Sequence, residues 1–318
     1  MISGKNLFLT GGFGFIGSAL AERLLLHNRI TLFDNGTRRS SRLARFAEHP
    51  NVRLVNGDVL DKQSISVAIK DSDIVIHLAG IAGVSNYYRM PTRTMEVTLL
   101  GMYNMLEAVS HRGGIERFVF LSTSEVFGPR AWRVREDSPT QQGDVADRRW
   151  TYAVAKLAAE KLAMCYYWER QLPIVSLRPF NIYGPGQAGE GAIHNFTIAS
   201  LRNEPLQITG DGAQLRSWCY IDDMVSAIEA SLLSQKAIGQ VYNIGNPEST
   251  VTVLDLGRQV VTLSGSSSPI HFVPHIGVDI DIRVPDISKA RAELGYRPQV
   301  NLQDGLRRTI EWYREIKA

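Results

Sequence analysis

Short apolar runs alternate with longer helical patterns, and this alternation is the feature that most restricts what the chain can fold into. Runs rich in branched and aromatic residues, such as NLFLT at 6–10 and RITLFD at 29–34, are followed by helical periodicity, as in FIGSALAERLLLHN at 15–28. The same order continues through DIVIHLAG and RFVFLSTSE. It predicts an α/β fold with a doubly wound parallel sheet and right-handed crossovers.

The chain changes character near residue 180. Beyond it, glycine and proline are more frequent and the connections are longer, as in FNIYGPGQAGEGA. A length of 318 residues suits one large domain or two unequal lobes. We therefore expect a main domain at 1–180 and a smaller lobe at 181–318, partly interwoven with it.

Composition excludes several classes of protein. A net charge of +3 is too small to indicate a nucleic-acid partner. No apolar run has membrane-spanning length and the start lacks the pattern of a signal peptide, so we expect no membrane partner and a cytoplasmic location. Cys165 and Cys219 are too few for a disulfide framework. His194 and His275 lie outside any metal-ligand spacing, so we predict no metal site.

The segment TGGFGFIG places three glycines, Gly11, Gly14 and Gly17, between a predicted strand and a predicted helix. Glycines in this position let the backbone approach a pyrophosphate, and the helix N-terminus supplies unsatisfied N–H groups. A tight turn alone would explain an isolated glycine pattern. In its strand-turn-helix context, the pattern predicts a Rossmann-type dinucleotide-binding domain.

Asp34 ends the next predicted strand, where a carboxylate would bind the ribose hydroxyls and repel a 2′-phosphate. This favours NAD over NADP, although Arg38 and Arg39 follow closely and offer a clamp for such a phosphate. The predicted cofactor-binding residues are Gly11, Phe13, Gly14, Phe15, Ile16, Asp34, Asn35, Asp58, Val59, Leu78, Ala79, Gly80, Tyr152 and Lys156.

Tyr152 and Lys156 stand four residues apart in YAVAKLAAEKLAMC and therefore share one helical face. A nearby ammonium favours the phenolate, so the pair can act as a base that removes a hydroxyl proton. This spacing also occurs by chance on many helices. The preceding cofactor pattern makes the catalytic interpretation the stronger one.

The segments TGGFGFIG, STSEVFG, YAVAK, RPFNIYGPG and RSWCYIDD, in this order, resemble the extended short-chain dehydrogenase/reductase superfamily, in its branch of nucleotide-sugar epimerases, dehydratases and decarboxylases. The resemblance spans essentially the whole chain. It implies a bound NAD that takes hydride from the sugar C4 and later returns it, and a homodimer formed through paired helices. The catalytic residues it implies are Thr123, Ser124, Glu125, Tyr152 and Lys156.

The pair Ser124-Glu125 bears on which reaction is performed. The resemblance implies hydroxyl residues here in simple 4-epimerases and Asp-Glu in common 4,6-dehydratases. Ser-Glu is similar to UDP-glucuronate decarboxylases and to some GDP-sugar dehydratases. We therefore expect decarboxylation of a UDP-sugar, with epimerisation or dehydration as alternatives and a non-catalytic NAD-binding regulator as the last. A structural carboxylate at a strand end is the other interpretation of Glu125.

The resemblance also implies a set of substrate-binding residues: Asn181, Asn195, Arg216, Arg283 and Arg149. Arginine suits the diphosphate because its donors form a rigid fork. Two departures from the family pattern are Thr98, where asparagine is common, and Phe127, where tyrosine is common. Residues 129–149 have no clear periodicity, and we expect them to form a substrate lid.

Overall fold

The computed structural model describes residues 2–274 and 277–317. Its strands are β1 Asn6–Thr10, β2 Arg29–Asp34, β3 Val52–Asn56, β4 Ile74–His77, β5 Arg117–Leu121, β6 Arg130–Val134, β7 Ile174–Pro179, β8 Ile182–Tyr183, β9 Leu206–Thr209, β10 Leu215–Ser217, β11 Cys219–Tyr220, β12 Gln240–Ile244, β13 Thr250–Thr252, β14 Ile270–Val273 and β15 Ile282–Pro285. Its α-helices are α1 Phe15–Leu24, α2 Lys62–Ile69, α3 Val84–Arg89, α4 Pro91–Met95, α5 Gly101–Arg112, α6 Thr151–Arg170, α7 Ala192–Leu201, α8 Ile221–Leu233, α9 Val253–Ser264, α10 Ser288–Leu294 and α11 Leu302–Lys317.

The main sheet has seven strands in the order β12-β7-β5-β4-β1-β2-β3, and all its pairings are parallel. Successive side chains of each strand point to opposite faces of the sheet, and both faces are covered by helices. Leu7 and Leu9 pack in the core that contains α1 and α8, whereas Phe8 packs in the core that contains α2, α5 and α6. The predicted doubly wound α/β fold is confirmed.

The two parts of the chain exchange elements across residue 180. Strand β12 and helix α8 come from the predicted small lobe but complete the main sheet and one of its covering layers. In return, β6 lies in a four-stranded sheet of order β13-β10-β15-β6. Residues 130–134 are therefore an edge strand that pairs with β15, not a part of a separate lid. Its partner lies about 150 residues away, at Ile282–Pro285, so local periodicity could not indicate the pairing.

Among the described residues, no helix is both long and apolar enough to cross a bilayer.

Candidate active site

The turn between β1 and α1 is pressed against the end of β4. Gly11 has a φ of +66°, and a Cβ there would lie 2.9 Å from the backbone of both Leu78 and Ala79. A Cβ on Gly17 would lie 2.5 Å from the carbonyl oxygen of Gly11. Helix α1 starts after Gly14, which offers no side-chain cap, so its first N–H groups face the turn.

A hydrogen bond between side chains holds the same two strands together. Thr10 Oγ1 lies 2.7 Å from His77 Nδ1 and accepts the N–H of Ala79 at 3.2 Å. Burial and, to a smaller extent, the nearby charge of Lys156 lower the pKa of His77 to about 3, so this imidazole is neutral. The backbone of Leu78–Gly80 is thereby fixed beside the glycine turn.

A cavity of about 590 Å³ opens at this edge of the sheet. It is lined by most of the predicted cofactor-binding residues, namely Gly11, Gly14, Phe15, Ile16, Asp34, Asn35, Asp58, Val59, Leu78, Ala79 and Gly80. Three predicted cofactor-binding residues do not line the cavity: Tyr152 and Lys156, and Phe13, whose ring is buried. Glycines that leave no room for a Cβ, an open helix N-terminus and an acidic residue at the next strand end fit a dinucleotide.

Asp34 is oriented by backbone donors. Its carboxylate accepts the N–H of Phe13 at 3.1 Å and that of Gly36 at 2.8 Å. Burial raises the pKa of Asp34, although both N–H groups and Arg39 act in the opposite direction. Arg38 donates to the carbonyl of Ala82 at 3.1 Å, and Arg39 lies 5.1 Å from the ring centre of Phe13. Both arginines that were candidates for a phosphate clamp therefore have contacts of their own.

Asp58 is part of an ion pair that the sequence did not predict. Its carboxylate lies 2.6 Å from Arg93, which also lines the cavity. It accepts the N–H of Leu60 at 3.0 Å as well. Nothing near Arg93 in the sequence indicates this contact, which depends on how α4 packs against the end of β3.

Tyr152 and Lys156 lie on the first turns of α6, against the end of β5. Lys156 Nζ donates to the carbonyl of Leu121 at 2.6 Å and lies 5.8 Å from the ring centre of Tyr152. Burial lowers the pKa of Lys156 to about 7. Burial, with a smaller effect of Glu125, raises the pKa of Tyr152 above its ordinary value. The environment alone thus disfavours both charged forms.

Strand β5 ends at Leu121, before the polar segment. Thr123 caps a 3₁₀ turn at Ser124–Phe127, and its Oγ1 accepts the N–H of Glu125 at 3.2 Å. Ser124 is buried. The polar residues at 122–125 are therefore a turn at the carboxyl end of a central strand, where ligands bind in doubly wound sheets.

Glu125 and Arg149 form a two-pronged ion pair. The guanidinium donates to the two carboxylate oxygens at 2.7 and 3.3 Å. The Arg149 side chain is 6 % exposed and that of Glu125 is 16 % exposed. Because the pair is largely shielded from water, its attraction is screened less than in a surface ion pair, and loss of either partner would leave a largely buried charge without its counter-charge.

Arg216 and Arg283 are neighbours on β10 and β15. Burial lowers the pKa of each to about 10. Arg216 donates to the carbonyls of Leu215 and Ile280. Arg283 is 3 % exposed and donates to the carbonyl of Gly128 at 2.9 Å, while its Nε has no hydrogen-bond partner among the described residues. Arg283 thus keeps a buried, open donor near Glu125 and Arg149, whose charges affect its pKa.

The other predicted substrate residues lie after residue 180. Asn181 has a φ of +41° and donates to the carbonyl of Ser217 at 2.9 Å. Asn195 is exposed on α7. His194 lies 2.9 Å from the hydroxyl of Tyr313, and His275 lies outside the described residues. In the part of the chain that the structure describes, no cluster of His, Cys, Asp and Glu could hold a metal ion.

Two departures from the family pattern also have a place in the structure. Phe127 packs 6.2 Å from the ring of Phe180, centre to centre, so its ring belongs to a small apolar core. Thr98 lies in a π-helical turn, Glu96–Leu100, that joins α4 to α5. Its buried hydroxyl finds no hydrogen-bond partner within residues 2–274 and 277–317.

Tyr87 on α3 is a site residue that the sequence did not predict. Its ring is parallel to that of Tyr152, with centres 5.1 Å apart and an angle of 5° between planes. Its ring centre is 5.7 Å from the guanidinium carbon of Arg149. No local motif marks this tyrosine, because the contact joins segments that are distant in the chain.

Comparison with known families identifies the group to which this fold and site belong. The model of the NAD dependent epimerase/dehydratase family matches residues 7–245, which include the glycine turn, the turn after β5 and α6. The chain belongs to this family. The family resemblance and the predicted cofactor, NAD, are both confirmed.

Members of the NAD dependent epimerase/dehydratase family with different reactions are similar to this chain. UDP-N-acetyl-alpha-D-glucosaminuronate decarboxylase of Bacillus cytotoxicus is 33% identical over 98% of this chain and 99% of its own length. UDP-glucuronic acid decarboxylase 1 of Danio rerio is 33% identical over 98% of this chain and 74% of its own length. The structure of UDP-glucuronic acid 4-epimerase from Bacillus cereus, in complex with UDP-glucuronic acid and NAD, matches with a TM-score of 0.91 and 30% identity, over 98% of this chain and 99% of that one.

Proposed function

We propose that this protein removes carbon dioxide from UDP-glucuronic acid and forms UDP-xylose. Two relatives support the proposal, since both are named as decarboxylases of UDP-linked uronic acids and align with nearly the whole chain. The observation that carries it is the set of charges after β5, where Glu125 is held by Arg149 and the buried Nε of Arg283 has no hydrogen-bond partner among the described residues. The family resemblance adds that Ser124 stands where common 4,6-dehydratases have an acid.

Dehydration needs a base that removes the C5 proton and an acid that protonates the departing hydroxyl. Ser124 cannot act as this acid, because a serine hydroxyl does not give up its proton readily near neutral pH. Both oxygens of Glu125 accept hydrogen bonds from Arg149. Loss of carbon dioxide has smaller requirements, since a carboxylate next to a C4 ketone is that of a β-keto acid.

Each step of the proposed decarboxylation can be assigned to residues of this chain. The glycine turn, α1 and Asp34 would hold NAD, which when bound accepts a hydride from C4 and later returns it. Tyr152 takes the proton of the C4 hydroxyl, and Lys156, when protonated, offsets the burial that disfavours the phenolate. The bond from C5 to the carboxylate then breaks, and its electron pair enters the C4 carbonyl. Hydrogen bonds from Tyr152 and Thr123 stabilise the enolate oxygen.

A proton must then return to C5. The carboxylate of Glu125 has about four acceptor positions, of which Arg149 occupies two, so Glu125 can also hold a water molecule that passes this proton to C5 and regains one from solvent. Arg149 acts here by holding Glu125 in place rather than by binding substrate directly. Glu125 and Arg149 are therefore both essential in the proposed decarboxylation.

Arg283 is the residue we assign to recognition of the uronate or the diphosphate. Its Nε is buried and lacks a partner among the described residues, and an anion would satisfy it. Arg216, Asn181 and Asn195 would complete the nucleotide site. Their side chains have protein contacts or solvent exposure in the structure, so they would need to change rotamer on binding.

A 4-epimerase of UDP-glucuronic acid is the second candidate. It would use Tyr152, Lys156 and Thr123 in the same way but would return the hydride to the other face of C4, without breaking a carbon–carbon bond. A solved 4-epimerase of this substrate matches the chain over 98% of its length. The ion pair between Glu125 and Arg149 is compatible with this second function, because an epimerase needs no acid or base at C5 and Glu125 would then be structural.

One incubation separates these functions. Purified protein is mixed with NAD and UDP-glucuronic acid, and the nucleotide sugars are analysed by mass and retention time. Loss of carbon dioxide supports the proposal, unchanged mass with a new retention time supports epimerisation, and loss of water supports dehydration. Absence of turnover despite bound NAD would contradict all three and favour a regulator.

Assembly and location remain predictions. The homodimer implied by the family resemblance would form through α5 and α6, and large exposed apolar side chains on these helices support it, including Tyr103, Val154 and Trp168. A concentration series in analytical ultracentrifugation tests this. The predicted cytoplasmic location is tested by cell fractionation.

A further inference from the structure

Among the described residues, the hydroxyl of Tyr152 has no hydrogen-bond partner that would fix its position. Within residues 2–274 and 277–317, the contacts of the Tyr152 side chain are with rings and charges: the parallel ring of Tyr87 and the ammonium of Lys156. Lys156 Nζ is itself directed to the carbonyl of Leu121 at 2.6 Å. The orientation of the Tyr152 ring therefore depends chiefly on what packs against its face.

Tyr87 is itself held firmly enough to position the ring of Tyr152. It is 2 % exposed, and its hydroxyl accepts the N–H of Gly83 at 3.2 Å, so both ends of the side chain are fixed. Its helix is tied back by Asn86, whose amide donates to the carbonyl of Ala82 at 2.9 Å. An interplanar angle of 5° at 5.1 Å is a stacked arrangement of two aromatic rings.

Tyr87 also touches the ion pair after β5. The guanidinium of Arg149 lies 5.7 Å from the Tyr87 ring centre, and Arg149 holds Glu125. The contacts thus run without interruption from Tyr152 through Tyr87 and Arg149 to Glu125. A change in the position of the Tyr87 ring would move the phenol and the ion pair together.

We propose that Tyr87 is a positioning residue of the active site, which sets the plane of the Tyr152 ring by stacking and keeps it in register with the Glu125–Arg149 pair. The proposal rests on the proposed role of Tyr152 as the acceptor of the C4 hydroxyl proton. It applies equally to decarboxylation and epimerisation, because both begin with oxidation at C4.

The test compares Tyr87→Phe, which keeps the ring, with Tyr87→Leu and Tyr87→Met, which remove it. The protein with NAD is mixed with UDP-glucuronic acid, and the first phase of cofactor reduction is followed by absorbance. We expect Tyr87→Phe to stay within about twofold of the native rate because the stack persists. The ring-less variants should be slower by about 100-fold, because a misplaced reacting group loses most of its effective concentration. NAD affinity should not change.

Tyr166→Leu is the matched control. Like Tyr87, Tyr166 is a buried tyrosine, but it lies on α6 and pairs with Glu107, away from Tyr152. Its loss should therefore lower stability without slowing cofactor reduction. Native rates in both folded ring-less variants would overturn the proposal, as would an equally slow Tyr87→Phe. Tyr152→Phe separates the two levels of inference, since full activity in that variant would refute the role of Tyr152 itself.

A second measurement needs neither substrate nor turnover. In protein with ¹³C-labelled tyrosine rings, the Tyr152 signal is assigned by its absence in Tyr152→Phe. We expect a ring-current-shifted signal in the native protein and in Tyr87→Phe, and a shift towards the value of free tyrosine in Tyr87→Leu. An unchanged Tyr152 signal in Tyr87→Leu would overturn the proposal even if no substrate is turned over. If Tyr87→Leu does not fold, Tyr87→Met gives the same comparison.

Discussion

Glu125 and Arg149 are 24 positions apart in the chain, yet the guanidinium of one holds both carboxylate oxygens of the other, at 2.7 and 3.3 Å. The pair joins the turn after β5 to the residues just before α6. It therefore fixes, relative to each other, the segment that contains Thr123 and the helix that contains Tyr152. The charges of the site and its geometry depend on the same contact.

Glu125→Gln keeps the shape of the side chain but leaves Arg149 as a largely buried cation without a counter-charge. We expect the free energy of unfolding to fall by about 3 kcal/mol, as for other broken buried pairs. Steady-state release of carbon dioxide and formation of UDP-xylose should both fall by about 100-fold or more, because every turnover needs the proton return to C5 that this carboxylate supports. Urea unfolding and product analysis measure the two effects.

Glu116→Gln is the matched control for that variant. Glu116 pairs with Lys5 at 2.7 Å, but the two side chains are 51% and 33% exposed, so the loss should be at most about 1 kcal/mol. Activity should stay at the native level. Full carbon dioxide release from a folded Glu125→Gln variant would contradict the role assigned to Glu125.

Arg283→Met replaces a buried cation that is incompletely hydrogen-bonded. We expect the free energy of unfolding to stay the same or to rise, because the apolar side chain has no desolvation penalty. The KM for UDP-glucuronic acid should rise by about tenfold or more, as expected for a lost charge-assisted hydrogen bond. Arg135→Met, at an exposed ion pair, is the control. An unchanged KM in Arg283→Met would exclude Arg283 from substrate recognition.

Gly11→Ala and Gly4→Ala separate backbone strain from collision. Both glycines have positive φ, +66° and +71°, but a Cβ on Gly4 meets nothing within 4 Å whereas one on Gly11 meets the backbone of β4's end at 2.9 Å. Gly4→Ala should lose about 1 kcal/mol of stability and bind NAD normally. Gly11→Ala should lose more and bind NAD weakly in calorimetry. Equal NAD affinity in the two variants would refute the cofactor role of this turn.

The buried ammonium of Lys156 should make the free energy of unfolding depend on pH. Burial lowers its pKa to about 7, from an ordinary value of 10.5. Between these values the unfolded chain binds a proton that the folded protein does not, so the native protein gains stability as pH rises. A folded Lys156→Met variant lacks this dependence. Its stability relative to the native protein should therefore be greatest at pH 7 and below, and should decline as pH rises towards 10.5.

Urea unfolding on both sides of pH 7 gives this comparison, with Lys161→Met as control. Lys161 lies on the same helix but is exposed, so its variant should follow the native protein at every pH. A constant difference between Lys156→Met and the native protein would show that the ammonium is not desolvated.

Much of the main sheet and of the cofactor cavity could be predicted, because both are encoded locally. Strand periodicity needs only neighbouring residues, and the glycine turn is contiguous from Gly11 to Gly17. The return of β12 to the sheet and the pairing of β6 with β15 could not be predicted, since each joins strands that are far apart in sequence. Local sequence also did not indicate that the ring of Phe13, within the glycine motif, packs in the core.

The polar residues of the site also fall into those that local sequence indicates and those that it does not. Tyr152, Lys156 and Glu125 stand out in their own segments. Tyr87 and Arg93 do not, since their importance comes from a ring stack and an ion pair formed only in the folded protein. Arg149 was predicted as a substrate ligand, whereas in the structure its guanidinium is directed at Glu125.

The central claim is that the carboxyl carbon leaves the sugar. UDP-glucuronic acid labelled with ¹⁴C at this carbon, incubated with the protein and NAD, tests it most directly. We expect the label to escape as carbon dioxide in proportion to the UDP-xylose formed, and Tyr152→Phe to abolish both. Label that stays in a nucleotide sugar of unchanged mass while that sugar is converted to a new isomer would contradict it.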